Sequence, residues 1–241
     1  MTTSTPRPVR IGVTCGEIHD RADTHRILRP LLVVAGVGFA ASWVAGLSVF
    51  SSSTQVRSSG TEIQHAYSGH VGVVALQYLL TEGLPAVCLA LVTLALGHAI
   101  RPTASATRMV TTIAGLTAAG VSLVQLALGL WLSLNLVDHG EASTVGDVYR
   151  AINRLDGVKM LLLAVLAVTV IRAIRRHDLD LPNWLSFIAA ALAVTITLSA
   201  IGYLSLNNTL ATAAWLSLPC LIVFITGAAL ALHRRPPTHP S

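Results

Sequence analysis

An all-α integral membrane protein is the fold class this sequence predicts, and three observations carry the prediction. Only 11% of the 241 residues are charged, while 53% are hydrophobic; soluble domains carry about 25% charged residues. Mean hydropathy is +0.68. Apolar runs recur at the ~20 residues a helix needs to cross a hydrocarbon core. Barrel strands would alternate apolar and polar positions, which these runs do not. Helices also satisfy every backbone group within the segment. A bundle of six transmembrane helices follows.

The elements are read in chain order. Residues 1–27 form a polar, Arg-rich stretch without apolar periodicity, expected as a flexible tail. A cleavable signal would have its apolar stretch soon after a short basic region, so the first span, 28–50, reads as a retained anchor. Gly36 with Ala40, and Ser42 with Gly46, sit four apart on it. The second span, 70–100, contains TEGLP, with Glu82 and Pro85 in otherwise apolar surroundings. The third, 108–137, places Thr111, Gly115, Ala118, Ser122, Gln125, Gly129 and Ser133 on one helical stripe.

Thr144 and Asp147 then resemble a capping-box start. Val145, Val148, Ile152 and Leu155 recur at helical spacing, so a short amphipathic helix is expected in the outer loop before helix 4. Helix 4 is placed at 157–173, helix 5 at 184–206 and helix 6 at 210–232. Helix 5 offers Ala191, Thr195 and Ser199 as a small-residue stripe. Residues 233–241 form a second polar tail. Small-residue faces are where membrane helices approach closely, and they are the surfaces through which a homo-oligomer would form.

Charge sets the expected orientation. The first tail holds Arg7, Arg10, Arg21, Arg26 and Arg29, and the connection after span 2 holds Arg101 and Arg108. The connection after span 4 holds Arg172, Arg175 and Arg176, and the C-terminal end holds Arg234 and Arg235. The opposite side holds Arg57, Arg150, Arg154 and Lys159. This asymmetry, 12 against 4 of the chain's 16 basic residues, puts both termini in the cytoplasm by the positive-inside rule and the protein in the cell membrane. The net charge of +5 is thereby explained by topology and by anionic lipid headgroups. A nucleic-acid partner is not required. The expected partners are the lipid bilayer and a small-molecule ligand.

Three cysteines, at 15, 88 and 220, lie outside the expected outer loops, so a structural disulfide is not expected. His65, His70 and His139 have no metal-ligand spacing, and no metal site is assigned. The sequence leaves the cofactor unassigned. Glycine-rich nucleotide loops and hydrolase elbows are absent.

Glu82 is the residue that calls for a function. It lies 12 residues into span 2, ~18 Å along the axis. A charged acid facing lipid at that depth costs about 2.5–3.5 kcal/mol, so it is expected to face the bundle interior. Tyr78 lies one turn away on the same side, and Gln125 on span 3 falls at a similar depth. Pro85 leaves the Thr81 carbonyl without its usual donor. Glu82 is therefore assigned as a proton carrier or general acid, with Tyr78 and Asp156 assisting. Gln77, Gln125, Arg150, Arg154 and Lys159 are the candidate ligand-binding groups. Lys159 is expected to snorkel outward at the end of helix 4.

Three functional classes remain. The first is a permease or efflux-type protein that binds or moves a small molecule, proton or cation at Glu82. The second is an intramembrane enzyme using Glu82 as general acid on a lipid-like or isoprenoid substrate. The third is a non-catalytic membrane subunit or sensor, with Glu82 as interhelical glue bonded to Gln125 or a hydroxyl.

Overall fold

The computed structural model describes residues 15–51 and 54–234, with side chains described from residue 30 onward. Among these residues there is no strand. Seven helical elements are numbered here in chain order: α1 (Cys15–Val49), α2 (Gly60–Tyr67), α3 (Val71–Ala99), α4 (Pro102–Leu136), α5 (Ala142–Arg175), α6 (Asn183–Leu204) and α7 (Asn208–His233). All but α2 contain a stretch long and apolar enough to cross a membrane, in α1 Pro30–Val49.

The six long helices close into a ring. Each packs on its chain neighbour, α1 on α3, α3 on α4, α4 on α5, α5 on α6 and α6 on α7, and α7 returns to α1. Short connections make such sequential packing the low-cost solution. Close approach is built on the small residues. A Cβ on Gly36 would meet Ala229 of α7, one on Gly46 would meet Thr81 of α3, and one on Gly115 would meet Thr93. The whole Thr111-to-Ser133 stripe of α4 is buried.

Four expectations are corrected. Helix α1 is already formed at Cys15, the first described residue, so residues 15–27, assigned to a flexible tail, are helical; mobility of residues 1–14 and 235–241 concerns residues outside those described. No separate amphipathic helix precedes helix 4, because α5 runs unbroken for 34 residues from Ala142. Nothing between Leu155 and Lys159 breaks it, and the inward stripe simply continues through Ile152, Lys159, Leu163 and Leu166. At 1.5 Å per residue α5 is ~51 Å long, well beyond a hydrocarbon core of ~30 Å, and its first turns project. The stripe of α6 is also different: Ala191 is exposed, and Leu185, Ala189, Leu192, Ile196 and Ser199 are buried. The buried face alternates small residues with Leu185, Leu192 and Ile196, so it is offset from the predicted stripe, which shares only Ser199 with it.

The fourth correction is an element not anticipated. Helix α2 forms over Gly60–Tyr67 behind a capping box, in which the Ser59 hydroxyl accepts from the Glu62 amide and the Glu62 carboxylate accepts from the Ser59 amide. It lies across the start of α5, where Gly60 meets the Ala142 carbonyl so closely that a side chain would collide.

Two apolar cores fill the ring. The larger contains Phe39, Leu89, Val92, Leu166, Leu192 and Phe224. The smaller lies under α2 and contains Ile63, Tyr67, Val74, Leu132, Tyr149 and Ile152. On α3 the boundary between them falls between Val74 and Ala86, and on α5 between Ile152 and Leu163. Polar residues occupy that boundary.

Candidate functional site

Pro85 sets the local backbone. Without an N–H it cannot donate to the Thr81 carbonyl, and its ring crowds the preceding turn. The helix answers by widening: residues Leu79–Gly83 form a π turn, closed by the Leu84 amide on the Leu79 carbonyl. A π turn inserts one residue and redirects the side chains around it, and such turns concentrate at functional sites. Both Glu82 and Gly83 face inward and are buried. Glu82 is 8% exposed.

Its partners come from two other helices. Lys159 of α5 places Nζ 2.9 Å from Oε1 and 2.8 Å from Oε2 of Glu82. The Ser122 hydroxyl of α4 donates to Oε2 at 2.8 Å. Lys159 is also 2.7 Å from Oδ1 of Asp156, three residues earlier on its own helix. Gln125 donates Nε2 to the Ile152 carbonyl at 3.1 Å and reaches Asp156 Oδ1 at 3.4 Å. Its Oε1 is buried and unpartnered. The result is a continuous cluster, Ser122–Glu82–Lys159–Asp156–Gln125, joining α3, α4 and α5.

Lys159 does not snorkel. It is 5% exposed, because α5 starts 15 residues earlier than expected and carries Lys159 down into the ring. The only lysine of the chain thus meets the only acid of span 2. Of the basic residues assigned to the outer side, Lys159 leaves the count, and 12 against 3 remain.

The other assigned residues fall apart from this cluster to different degrees. Tyr78 packs its ring against Gly129, where an added Cβ would run into it. Gln77 donates to the Phe50 carbonyl at 3.0 Å and does not reach Glu82. Arg150 pairs with Asp147 at 2.5 Å on the surface of α5, and Arg154 is exposed. Neither arginine joins the site. Gln125 bonds Asp156, not Glu82; the hydroxyl expected as an alternative partner is Ser122.

All four tyrosines of the chain gather at the α2 end of the cluster. Tyr67 shares side-chain hydrogen bonds with Tyr78 and Thr54, and the Tyr149 hydroxyl donates to Thr54 Oγ1 at 3.3 Å. Burial pushes the Tyr67 hydroxyl far above the ordinary phenol range, so it stays neutral and serves as donor and acceptor. Tyr203 of α6 lies within electrostatic range of Asp156, Tyr149 and Glu82. Sequence reasoning missed Tyr67, Tyr149 and Tyr203. The signal was their rarity, four in 241 residues, but nothing in the spacing brings them together.

Charge bookkeeping defines what the site can do. Two carboxylates share one ammonium, so the ionised cluster carries one net negative charge. Burying an ion is expensive unless it is compensated. One proton or one small cation would neutralise the cluster. No protein-family model, curated protein or solved structure matches the chain.

Proposed function

We propose that this chain is a multi-pass membrane protein that binds and moves a proton or small monovalent cation at Glu82, Asp156 and Lys159. The supporting observation is the cluster of two acids and one lysine, with Glu82 and Lys159 buried and Asp156 partly so, one positive charge short of neutrality. The six apolar helices are consistent with a multi-pass membrane protein. The size of the ligand follows from the contacts. Both oxygens of Glu82 are already engaged by Lys159 and Ser122. Engagement of both oxygens favours a proton or cation over a larger permease substrate. The same occupancy argues against a general acid, since a lipid-like substrate could not approach either oxygen. Cell-membrane location and cytoplasmic termini belong to this reading through the arginine asymmetry.

A specific observation also favours the glue reading: every oxygen of Glu82 has a protein partner. Flux separates the two. The purified protein is reconstituted into vesicles with an internal pH-sensitive dye, under imposed proton, sodium and potassium gradients. Dissipation above empty vesicles, lost in Glu82→Gln and in Asp156→Asn, is expected, because neither amide can exchange a proton or hold a cation by charge. Equal flux in Glu82→Gln and the parent, or no flux under any gradient, would leave the cluster as interhelical glue.

A further inference from the structure

At the end of the bundle opposite α2, helices α3 and α4 are pressed together through glycine. A Cβ on Gly97 would run into Thr112, just as one on Gly115 would run into Thr93. Beside this seam a cleft of 340 Å³ opens to the outside, lined by Leu94, His98, Ser105, Arg108, Met109 and Ile113 among others. Its two ends differ in chemistry. Leu94, Met109 and Ile113 are among the exposed large apolar side chains of the bundle. Arg108 directly precedes Met109, and Ser105 stands about one turn nearer the helix end. No acid lines the cleft.

Arg108 makes no hydrogen bond or ion pair among the described residues. Its charge is therefore uncompensated within the described protein. His98 is fixed by its Nδ1, which donates to the Leu94 carbonyl at 2.8 Å, so its other ring nitrogen is uncommitted. Among the described arginines only Arg150, at the α2 end, has an ion pair, with Asp147.

We propose that this cleft binds an anionic phospholipid. Its phosphate would sit on Arg108 and Ser105, and one acyl chain would lie along Leu94, Met109 and Ile113. Charge complementarity selects the headgroup: a guanidinium without a carboxylate partner is suited to a phosphate oxygen, which it can bind bidentately. Position selects a lipid over a free phosphate, because the cleft runs continuously from the cation onto the apolar flank of the helices. A volume of 340 Å³ holds a phosphate and glycerol but not whole acyl chains, which must therefore extend over the exposed flank. The neighbouring cleft shares Ser105 and adds Arg172, Arg176 and Asp178; it has no comparable apolar flank, and its two arginines are the control. The inference rests on the six helices crossing a bilayer and is independent of Glu82.

The test is native mass spectrometry of the detergent-solubilised full chain, titrated with phosphatidylglycerol and with phosphatidylcholine of identical acyl chains. The parent is expected to prefer phosphatidylglycerol. Arg108→Gln should weaken that lipid about fivefold, as one basic contact near the surface is worth ~1 kcal/mol, while Arg108→Lys should retain most of the preference. Arg172→Gln with Arg176→Gln should leave it intact, and so should Glu82→Gln. A second readout needs no charge change: the fluorescence that Ile113→Trp adds over the parent's four tryptophans should be quenched more by chain-brominated phosphatidylglycerol than by brominated phosphatidylcholine. Equal binding of both lipids by the parent, an unchanged preference in Arg108→Gln, loss of it in the Arg172/Arg176 variant, or equal quenching would each overturn the proposal. Displacement of the lipid by millimolar glycerol phosphate would assign the site to a free phosphate instead.

Discussion

Glu82, Asp156 and Lys159 make an unequal trio, and single substitutions should reveal the inequality. Glu82→Gln leaves Asp156 paired with Lys159, and Asp156→Asn leaves Glu82 paired with it; both clusters are then neutral. Lys159→Met leaves two carboxylates facing each other without a cation. Breaking a buried pair in this way costs about 3–5 kcal/mol, whereas the two amide variants should stay within about 1 kcal/mol of the parent, the typical scale of a membrane hydrogen bond being ~0.6 kcal/mol. Thermal unfolding in detergent should therefore rank Lys159→Met far below the other two. Adding Glu82→Gln to Lys159→Met should recover part of the loss. Similar melting of all three single variants would show that the cluster is not short of one positive charge.

At the scale of elements, the docking of α2 on the start of α5 depends on one glycine. Gly60 approaches the Ala142 carbonyl where no side chain fits, and Gln64 donates to the Gly140 carbonyl at 2.8 Å. Gly60→Ala is expected to lift α2 away, exposing Ile63 and Tyr67, which are buried in the smaller core. Hydrogen exchange of the Gly60–Tyr67 amides should then accelerate markedly, with amides of α3 beyond Pro85 unchanged. Unchanged protection of α2 would mean that the contact is easily relaxed. The π turn of α3 belongs to this scale too. TEGLP is a glutamate placed on a widened turn, and the proline two residues beyond that turn is why the turn is wide.

The whole ring carries the topology. Reporter fusions after Arg101 and Arg176 should report the cytoplasm, and fusions after Arg57, Asp147 and Asn208 the outside, if twelve arginines hold one face of the bilayer. An odd number of crossings between Arg101 and Arg176 would break the six-helix scheme. With that orientation, α2 and the tyrosines lie on the outer side and the Arg108 cleft on the inner side. The proposed proton or cation site then sits between an outward-facing phenol cluster and the larger apolar core.

Run length, low charge and arginine asymmetry are properties of the chain taken locally, so the sequence by itself determined six apolar helices, the α4 stripe that does become buried, and the presence of an acid where apolar packing is expected. The Ser59–Glu62 cap of α2 is equally legible as a local pattern. Helix continuity was less so, because the charged residues around Asp156 resemble a solvated loop until something buries them. Only the tertiary structure decided that Lys159 reaches Glu82, 77 residues away in sequence, and that Ser122 and Gln125 divide the two carboxylates between them. The reason is physical: a helix forms from contacts three to five residues apart, whereas a charge pair across helices depends on which helices become neighbours in the ring and how far each one slides along its axis.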